Sequence, residues 1–484
     1  MGSGEFDPED FTLTSFTRAS AAVLAGRIDV PRHHIATLHA LAYRALGSPP
    51  LAEKGELAKR WNEAHAALPQ WQVAGGIASE EDGLAPPDAE VGEQLRLYSL
   101  ARARIVPYGH PLWQLTRDFA VEWNDWKQET GSVDFADMLE LAITHIDNPP
   151  TAVFIADEAQ DFVPLQWELA RKWGEAAEVC IFAGDPAQVL YSFAGSSPHD
   201  FLRELPADHQ RLLGHSWRLP FAIRERAEGW LALHSGAVSA GRHYSDRGAP
   251  GNLTYSGATW RYPDDLLVEL AEAKDTMVLA TCSFMLAPLI QMLRDAGIPF
   301  ANKYRRSNGS WNPLVAQESK RSTAGMVAAF AEGAEPDVWI EMLKSEAFML
   351  RTAKSMIKGG QDVLGLLRPE HHDRYLARDL EWLAASVLPK YERPARFAAR
   401  VIERLGSAAL TKEPAVTVGT IHSVKGGEAE TVYLFPDVSQ AGWIEMHGST
   451  EGHDAAVRLG YVGMTRASER LVLCTAVDAK RGLW

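Results

Sequence analysis

Two adjacent carboxylates, Asp157 and Glu158, follow an apolar run at 152–156 that predicts a buried strand. A buried strand that ends in two acids is a common way to place Mg2+ beside a nucleotide phosphate. In that arrangement Asp157 would hold the metal ion, and Glu158 would orient and deprotonate an attacking water. A second apolar run at 179–183 is followed by Gln188. Two such strand ends in tandem predict a parallel sheet whose carboxyl edge forms one nucleotide site.

A lone acidic pair after an apolar strand is also typical of a solvated strand end, so the order of further segments decides between the two interpretations. The stretches at 157–161 and 184–195 resemble motifs II and III of the UvrD/Rep/PcrA-type superfamily 1A DNA helicases. Five other segments resemble motifs Ia, Ib, IV, V and VI of the same family, in the family's order: 14–21, 36–41, 213–220, 418–428 and 458–467. On these motifs the chain is identified as a member of this family.

The resemblance implies an ATP and Mg2+ site. Asp157 resembles the Mg2+ ligand, Glu158 the water-activating base, and Gln188 a group that senses the γ-phosphate or its attacking water. Arg218 and Arg466 resemble the two arginines that reach the γ-phosphate from the second motor domain, a role that suits a planar, permanently charged guanidinium. The alternatives are a turn residue for Gln188 and ordinary surface arginines for the other two.

Two more residues belong to the implied ATP site. Trp217 stands where the family has a Tyr that stacks on adenine, and the alternative is a Trp buried in the core. Glu428 resembles a carboxylate near the ribose. The sequence departs from the family beside it, because Gly427 stands where an apolar residue such as Leu is usual.

The resemblance also implies a path for single-stranded DNA, in which aromatic rings stack on bases while hydroxyls and amides contact phosphates. Core packing is the alternative for any single ring. Ala194 replaces an Arg of many members, which predicts a weaker grip on the strand. The implied DNA-binding residues are Phe16, Thr17, Thr37, His39, Tyr191, Phe193, Thr420 and His422.

One family motif has no counterpart. The phosphate-binding loop, Gly-x-x-x-x-Gly-Lys-Ser/Thr, is expected before the segment at 14–21, and the sequence contains no Gly-Lys-Ser/Thr. Residues 1–6 resemble a cloning leader. Because the loop's N–H groups and its Lys cradle the phosphates, we expect impaired ATP hydrolysis. Three explanations stay open: a truncated chain, a separate N-terminal polypeptide that carries the loop, or a true loss.

The length of 484 residues predicts two to four domains, and the motifs predict two RecA-like α/β motor domains with parallel sheets and helical insertions. The first motor domain, 1A, would be N-terminally incomplete. The predicted boundaries are 7–47 and 131–215 for 1A, 48–130 for a helical insertion 1B, 216–302 and 406–484 for 2A, and 303–405 for a small 2B-like insertion.

The net charge of −15 is unusual for a protein that binds nucleic acid, because phosphates attract Lys and Arg. A local groove suffices for a motor that contacts few nucleotides, so we keep single-stranded DNA and DNA junctions as partners. Cys180 and Cys474 lie in predicted strands and are interpreted as small buried residues. With no signal peptide or membrane span visible, a cytoplasmic location is expected, and the oligomeric state stays open.

The predicted function is ATP-dependent 3′-to-5′ translocation on single-stranded DNA with duplex unwinding, in DNA repair or replication. The alternative is a catalytically inert, helicase-like DNA-binding or regulatory scaffold. The acids and arginines of the implied ATP site favour a motor, and the absent phosphate-loop Lys favours the scaffold.

Overall fold

The computed structural model describes residues 6–16, 21, 24–26, 28–73, 92–203, 209–236, 245, 247–304, 311–314 and 322–484. The chain divides into two compact units. The first comprises Met1–His215, Glu228–Ser245 and Glu445–Val462, and the second comprises Ser216–Ala227, Asp246–Ile444 and Gly463–Trp484. The break after residue 215 coincides with the predicted boundary between the motor domains. Residues 228–245 and 445–462, assigned to 2A from the sequence, group with the first unit.

The first unit contains a four-stranded parallel sheet in the order β2-β1-β3-β4. Its strands are β1 (Phe11–Ser15), β2 (Ile35–Thr37), β3 (Val153–Asp157) and β4 (Val179–Phe182). In the register of β1 with its neighbours, Ser15 lies opposite both Thr37 and Asp157. The carboxyl ends of the strands therefore lie at one edge of the sheet, where the sequence predicts the acidic residues.

Strand β4 lies at one side of this sheet and pairs with β3. Val179 and Ile181 of β4 are 36% and 48% exposed, although strands of parallel sheets are usually covered on both faces. The ring of Phe182 packs instead against Trp167, at a centroid distance of 5.2 Å. Among the described strands β4 pairs on one side only, so its other edge, with apolar side chains nearby, can accept a further strand.

Seven helices lie in the described parts of 28–203, within the first unit. Thr37 caps α1, and Asp134 caps α5 in a capping box with Asp137, so short polar residues set where these helices begin. Helices α2 to α4 lie in the described parts of 48–130. The helices are α1 (Leu38–Ala45), α2 (Gly55–Ala64), α3 (Glu93–Ala103), α4 (Pro111–Thr130), α5 (Phe135–His145), α6 (Pro164–Ala176) and α7 (Pro198–Leu202).

The second unit contains a six-stranded parallel sheet in the order β5-β10-β9-β6-β8-β7. All residues of β6 and β8 are buried, as expected for central strands with helices on both faces. The strands are β5 (Asn252–Ser256), β6 (Thr276–Ala280), β7 (Phe300–Ala301), β8 (Val416–Thr420), β9 (Ala429–Leu434) and β10 (Ala467–Cys474).

Ten further helices follow along the chain, and α8, α16 and α17 each contain residues of both units. These helices are α8 (Phe221–Leu231), α9 (Leu267–Ala271), α10 (Ala287–Asp295), α11 (Thr323–Ala331), α12 (Ala353–Lys358), α13 (His372–Leu376), α14 (Leu380–Ser386), α15 (Pro389–Leu405), α16 (Gln440–Gly448) and α17 (Thr450–Met464). Two parallel sheets with helices confirm the predicted α/β class.

The two cysteines that are predicted to be buried differ in exposure. Cys474 is buried as predicted, whereas Cys180 is half-buried, because β4 lies at the side of its sheet. Burial raises the pKa of the Cys180 thiol to about 11 and, more strongly, that of Cys474. Among the described residues, no helix has the length and apolar character needed to span a membrane.

Candidate functional site

The carboxyl end of β3 presents Asp157 and Glu158, both half-buried. Glu158 has a φ of 55°, a left-handed conformation that a non-glycine residue adopts at an energetic cost. The fully buried Gln160 donates from Nε2 to Oε2 of Glu158 at 2.6 Å. The amide therefore fixes the direction of the carboxylate that the resemblance implies as the base.

The same Gln160 side chain connects the ends of β3 and β4. Its Oε1 accepts a hydrogen bond from the Asp185 N–H at 3.0 Å, and the Ala159 N–H donates to the Ala183 carbonyl at 2.9 Å. A Cβ at Gly184 would overlap Gln160 and lie 3.1 Å from the ring of Phe201. The glycine of motif III is thus required by the close approach of this amide.

Gln188 is held at the same edge of the sheet. Its Nε2 donates to Oδ2 of Asp185 at 3.0 Å, while Oδ1 of Asp185 accepts from the Ala187 N–H at 2.9 Å. Asp185 therefore positions Gln188, just as Gln160 positions Glu158. The first unit brings the three predicted residues Asp157, Glu158 and Gln188 to the carboxyl ends of two paired strands.

In the second unit, residues of motifs IV, V and VI meet. Arg218 donates from Nε to Oε2 of Glu428 at 2.6 Å and from Nη1 to the Thr465 carbonyl at 3.4 Å. Arg466 is 1% exposed and donates from Nη1 to the Gly427 carbonyl at 3.1 Å. The alternative of an ordinary surface arginine is therefore wrong for Arg466, whose side chain supports the main chain next to Glu428.

The glycine at position 427, where the resemblance implies an apolar residue, has a structural reason. A Cβ at this position would overlap the ring of Tyr304, whose hydroxyl lies 3.3 Å from the backbone nitrogen of Glu428. The Tyr304 ring thus occupies the space that an apolar side chain at 427 would need. The segment that carries Glu428 is packed between Tyr304 and Arg466.

Trp217 is 85% exposed, so the interpretation as a buried core residue is wrong. An exposed indole next to Arg218 presents a large face that can stack on a flat ring. The adenine-stacking role implied by the resemblance stays a prediction.

Tyr191 contacts both of the other predicted DNA-stacking rings, Phe16 and Phe193. Phe16 and Tyr191 lie 4.8 Å apart between ring centroids and are both buried, while Phe193 lies 6.0 Å from Tyr191 and is 50% exposed. The core-packing alternative therefore fits Phe16 and Tyr191, and Phe193 is the ring of this group that a base can reach. Thr17, the next predicted DNA contact, lies outside the described residues.

The remaining predicted DNA-binding residues have local structural contacts. Oγ1 of Thr37 accepts from the Ala40 N–H at 3.3 Å, and Oγ1 of Thr420 accepts from the Ser423 N–H at 3.2 Å. Both threonines are buried. The His39 ring lies against Phe135, and His422 is half-buried in a 3-10 turn. These contacts explain Thr37 as the cap of α1 and Thr420 as a residue that holds the turn after β8, and the proposed phosphate contacts stay predictions.

Two arginines that the sequence did not single out support the loop that carries Phe193. The buried Arg458 donates from Nε to the Val189 carbonyl and from Nη2 to Oγ of Ser192, both at 3.0 Å. Burial lowers its pKa and that of the neighbouring His234. Arg104, at the end of α3, donates from Nη2 to the Ser192 carbonyl at 3.0 Å. Arg458 lies in motif VI, but no local sequence signal marks Arg104.

Two family models match this chain. Residues 1–207 match the UvrD/REP helicase N-terminal domain, and residues 415–474 match the UvrD-like helicase C-terminal domain. The two matches together cover just over half of the sequence. The chain belongs to the UvrD/Rep-type superfamily 1 helicases.

Curated relatives agree with this assignment. ATP-dependent DNA helicase UvrD2 of Mycobacterium tuberculosis is 25% identical over 391 residues, which are 72% of this chain and 52% of the relative. Putative ATP-dependent DNA helicase YjcD of Bacillus subtilis is 26% identical over 250 residues, 46% of this chain and 32% of the relative. The RecBCD enzyme subunit RecB of Mycolicibacterium smegmatis is 27% identical over 129 residues, 24% of this chain and 12% of the relative. The chain therefore spans about half or less of the length of these relatives.

Proposed function

We propose that this protein is an ATP-dependent DNA translocase that moves 3′-to-5′ on single-stranded DNA and unwinds duplexes at junctions. The observation that carries the proposal is the Glu158 carboxylate, held by the buried amide of Gln160 beside Asp157 at the carboxyl end of β3. An acid positioned in this way can accept a proton from an attacking water.

The residues at this edge fit a Mg2+ ion, because carboxylate oxygens are the ligands that hard cations prefer. Asp157 would hold the ion, which supplies neutralisation of phosphate charge when bound. Glu158 takes the water proton, and Gln188, fixed by Asp185, senses the γ-phosphate. In the second unit, Trp217 would stack on adenine, Glu428 would contact the ribose, and Arg218 and Arg466 would act on the phosphate.

The absent Gly-Lys-Ser/Thr favours the second candidate, a helicase-like scaffold that binds DNA without hydrolysing ATP. A separate polypeptide that supplies a strand with a phosphate loop would restore ATP hydrolysis, although this sequence contains no such loop. Among the described strands, β4 pairs on one side only, and its Val179 and Ile181 are exposed. Both observations support this partner, since an added strand needs an unpaired edge and apolar contacts.

Phosphate release with and without single-stranded DNA tests the catalytic part. We expect the chain of this sequence to turn over at least roughly 100-fold more slowly than the roughly 1–100 per second of phosphoryl-transfer enzymes, because a positioned cation and several charge-assisted hydrogen bonds are lost. Turnover inside that range would show that another loop replaces the absent one. Where turnover is measurable, Glu158→Gln should reduce it strongly while ATP binding is retained, and unchanged turnover would contradict the role of Glu158.

Fluorescence anisotropy tests the DNA part. We expect tighter binding of a single-stranded oligonucleotide than of a blunt duplex, with affinity falling as salt rises. Phe193→Ala should weaken binding by about 1–3 kcal/mol if a base stacks on this ring. Tyr108→Ala is the matched control, because Tyr108 is a highly exposed ring of the same unit outside the predicted DNA path. Equal losses of DNA affinity in the two variants would contradict the role of Phe193 in the DNA site.

A further inference from the structure

Three potential metal ligands lie together at the amino-terminal end of the first sheet. Glu9, His33 and His34 each offer a ligand atom, and these atoms all lie within 4.8 Å of one another. Among the described residues this is the one group of three His, Cys, Asp or Glu side chains with such spacing. None of the three residues belongs to the candidate nucleotide or DNA site.

The topology of the sheet explains why these residues meet. Glu9 lies in the 3-10 turn Pro8–Asp10 that leads into β1, and the two histidines end the turn Arg32–His34 that leads into β2. Because β1 and β2 are parallel neighbours, with Leu13 opposite Ile35, the segments before them lie at the same end of the sheet. Asp157 lies at the other end, opposite Ser15.

Both turns are held by their own hydrogen bonds. The Asp7 N–H donates to Oδ2 of Asp10 at 2.8 Å, and the Asp10 N–H donates to the Asp7 carbonyl at 2.9 Å. The His34 N–H donates to the Pro31 carbonyl at 2.8 Å, and Arg44 donates to the His33 carbonyl. The backbones that present the three side chains are therefore fixed before any ligand binds.

A second observation points to a ligand. Nδ1 of His34 is buried and has no hydrogen-bond partner within the part of the chain that the structure describes. Buried polar atoms normally have a partner, so a nitrogen lone pair without one suggests a bound group. The His33 ring lies next to it, at a centroid distance of 4.1 Å.

We propose that Glu9, His33 and His34 bind one divalent transition-metal cation, with Zn2+ as the best fit. Two imidazoles and one carboxylate are a ligand set that suits Zn2+, and Mg2+ would prefer oxygens alone. Tetrahedral bonds of about 2.1 Å place ligand atoms about 3.4 Å apart, so small side-chain rotations complete the site. Water fills the remaining position, because Glu9 and His33 are exposed. The ion links the segment before β1 to the segment before β2.

Calorimetry with Zn2+ and visible absorption with Co2+, on metal-free and tag-free protein, test this proposal. We expect one equivalent of Zn2+ to bind and Co2+ to give ligand-field bands that Zn2+ removes. His34→Ala and Glu9→Gln should each weaken Zn2+ binding at least tenfold. Glu9→Gln changes an exposed carboxylate to a neutral group of the same shape, so it tests the site without disturbing the fold.

The matched control is the double variant His371→Ala/His372→Ala, which removes another pair of adjacent histidines. There the rings have other contacts: the Trp382 Nε1–H donates to Nδ1 of His371 at 3.2 Å, and Nε2 of His372 lies 3.1 Å from the Leu367 carbonyl. The control should keep the Zn2+ equivalent. Two results would overturn the proposal. One is that the parent protein binds no stoichiometric Zn2+, and the other is that the His34→Ala and Glu9→Gln variants both still bind one equivalent.

Discussion

Two segments, 48–130 in the first unit and 303–405 in the second, attach to their units by different kinds of interaction. Both are predicted from the sequence to be helical insertions, and they are called the first and the second insertion below. The first insertion has an aromatic core of its own, built around Trp61, Phe119 and Trp123. The helices of the second insertion share one continuous apolar core with the strands of their sheet. For example, the ring of Phe397 in α15 lies 5.7 Å from that of Phe300 in β7.

The first insertion is joined to α5 by buried charges. Arg102 donates to Asp134 at 3.0 Å and to Asp137 and Glu140 at 2.6 Å each, and Lys127 donates to Asp134 and Asp137 at 2.7 Å each. Burial acts to raise the pKa of Asp134, but the charges of Arg102 and Lys127 outweigh it and lower the pKa.

Each attachment depends on a different physical property. A buried ion network is stable only while every charge keeps its partner, because an uncompensated buried charge is costly. An apolar core depends on volume and is insensitive to protonation. We therefore expect loss of a charge to destabilise the attachment of the first insertion. Loss of a buried side chain's volume should destabilise that of the second.

The largest effect should come from Arg102→Ala, which removes the cation of Glu140 and leaves Lys127 alone to compensate both Asp134 and Asp137. We expect the free energy of unfolding of the first insertion to fall by about 3–5 kcal/mol. Tryptophan fluorescence during unfolding in denaturant measures this change. Lys59→Ala is the matched control, because Lys59 pairs with Glu63 at 3.9 Å on the exposed surface of the same insertion. The Lys59→Ala variant should lose no more than about 1 kcal/mol of stability. Similar losses in the two variants would contradict an attachment that depends on the buried charges.

The second attachment is tested by Leu383→Ala, which deletes a fully buried side chain of α14 in the shared apolar core. We expect a loss of about 2–4 kcal/mol, and the same loss at pH 6 and pH 9. Leu376→Ala, at an exposed position of the same insertion, should have little effect. A loss at Leu383 that changes strongly with pH would contradict the apolar character of this attachment.

The smallest effect concerns Glu53, which lies beside the charge network. Its Oε1 accepts from the Phe135 N–H at 3.5 Å, and Oε2 is buried without a partner in the described structure. Burial, and then the charge of Asp134, raise the pKa of Glu53 from 4.5 to about 8. The folded protein thus keeps a proton that the unfolded chain loses. The resulting stabilisation is complete below pH 4.5 and is lost as the pH rises to about 8.

Glu53→Gln should remove this dependence, since the amide stays neutral at every pH. We expect the variant to gain about 1 kcal/mol of stability relative to the parent for each pH unit between pH 5 and pH 7, measured by denaturation at a series of pH values. A difference between variant and parent that stays constant with pH would show that Glu53 has an ordinary pKa.

Local patterns predicted the parts of the candidate site that lie at strand ends. Asp157, Glu158 and Gln188 follow apolar runs, and parallel pairing of those runs brings them to one edge. Arg104 could not be predicted, because its partner Ser192 is 88 residues further along the chain and no periodicity connects them. The burial of Phe16 and Tyr191 was also undecidable, since a ring at a strand end can pack inward or face a ligand with the same sequence pattern.

The contact between Gly427 and Tyr304 restricts how this sequence can change over evolutionary time. A leucine at 427 would overlap the Tyr304 ring, so it requires that this ring moves away or that position 304 becomes smaller. A change from Tyr304 to a small residue while Gly427 is retained would leave a space beside Glu428. The two positions, distant in sequence, should therefore be inherited as a pair, and chimeras that take one of them from a relative should fold less well than chimeras that take both.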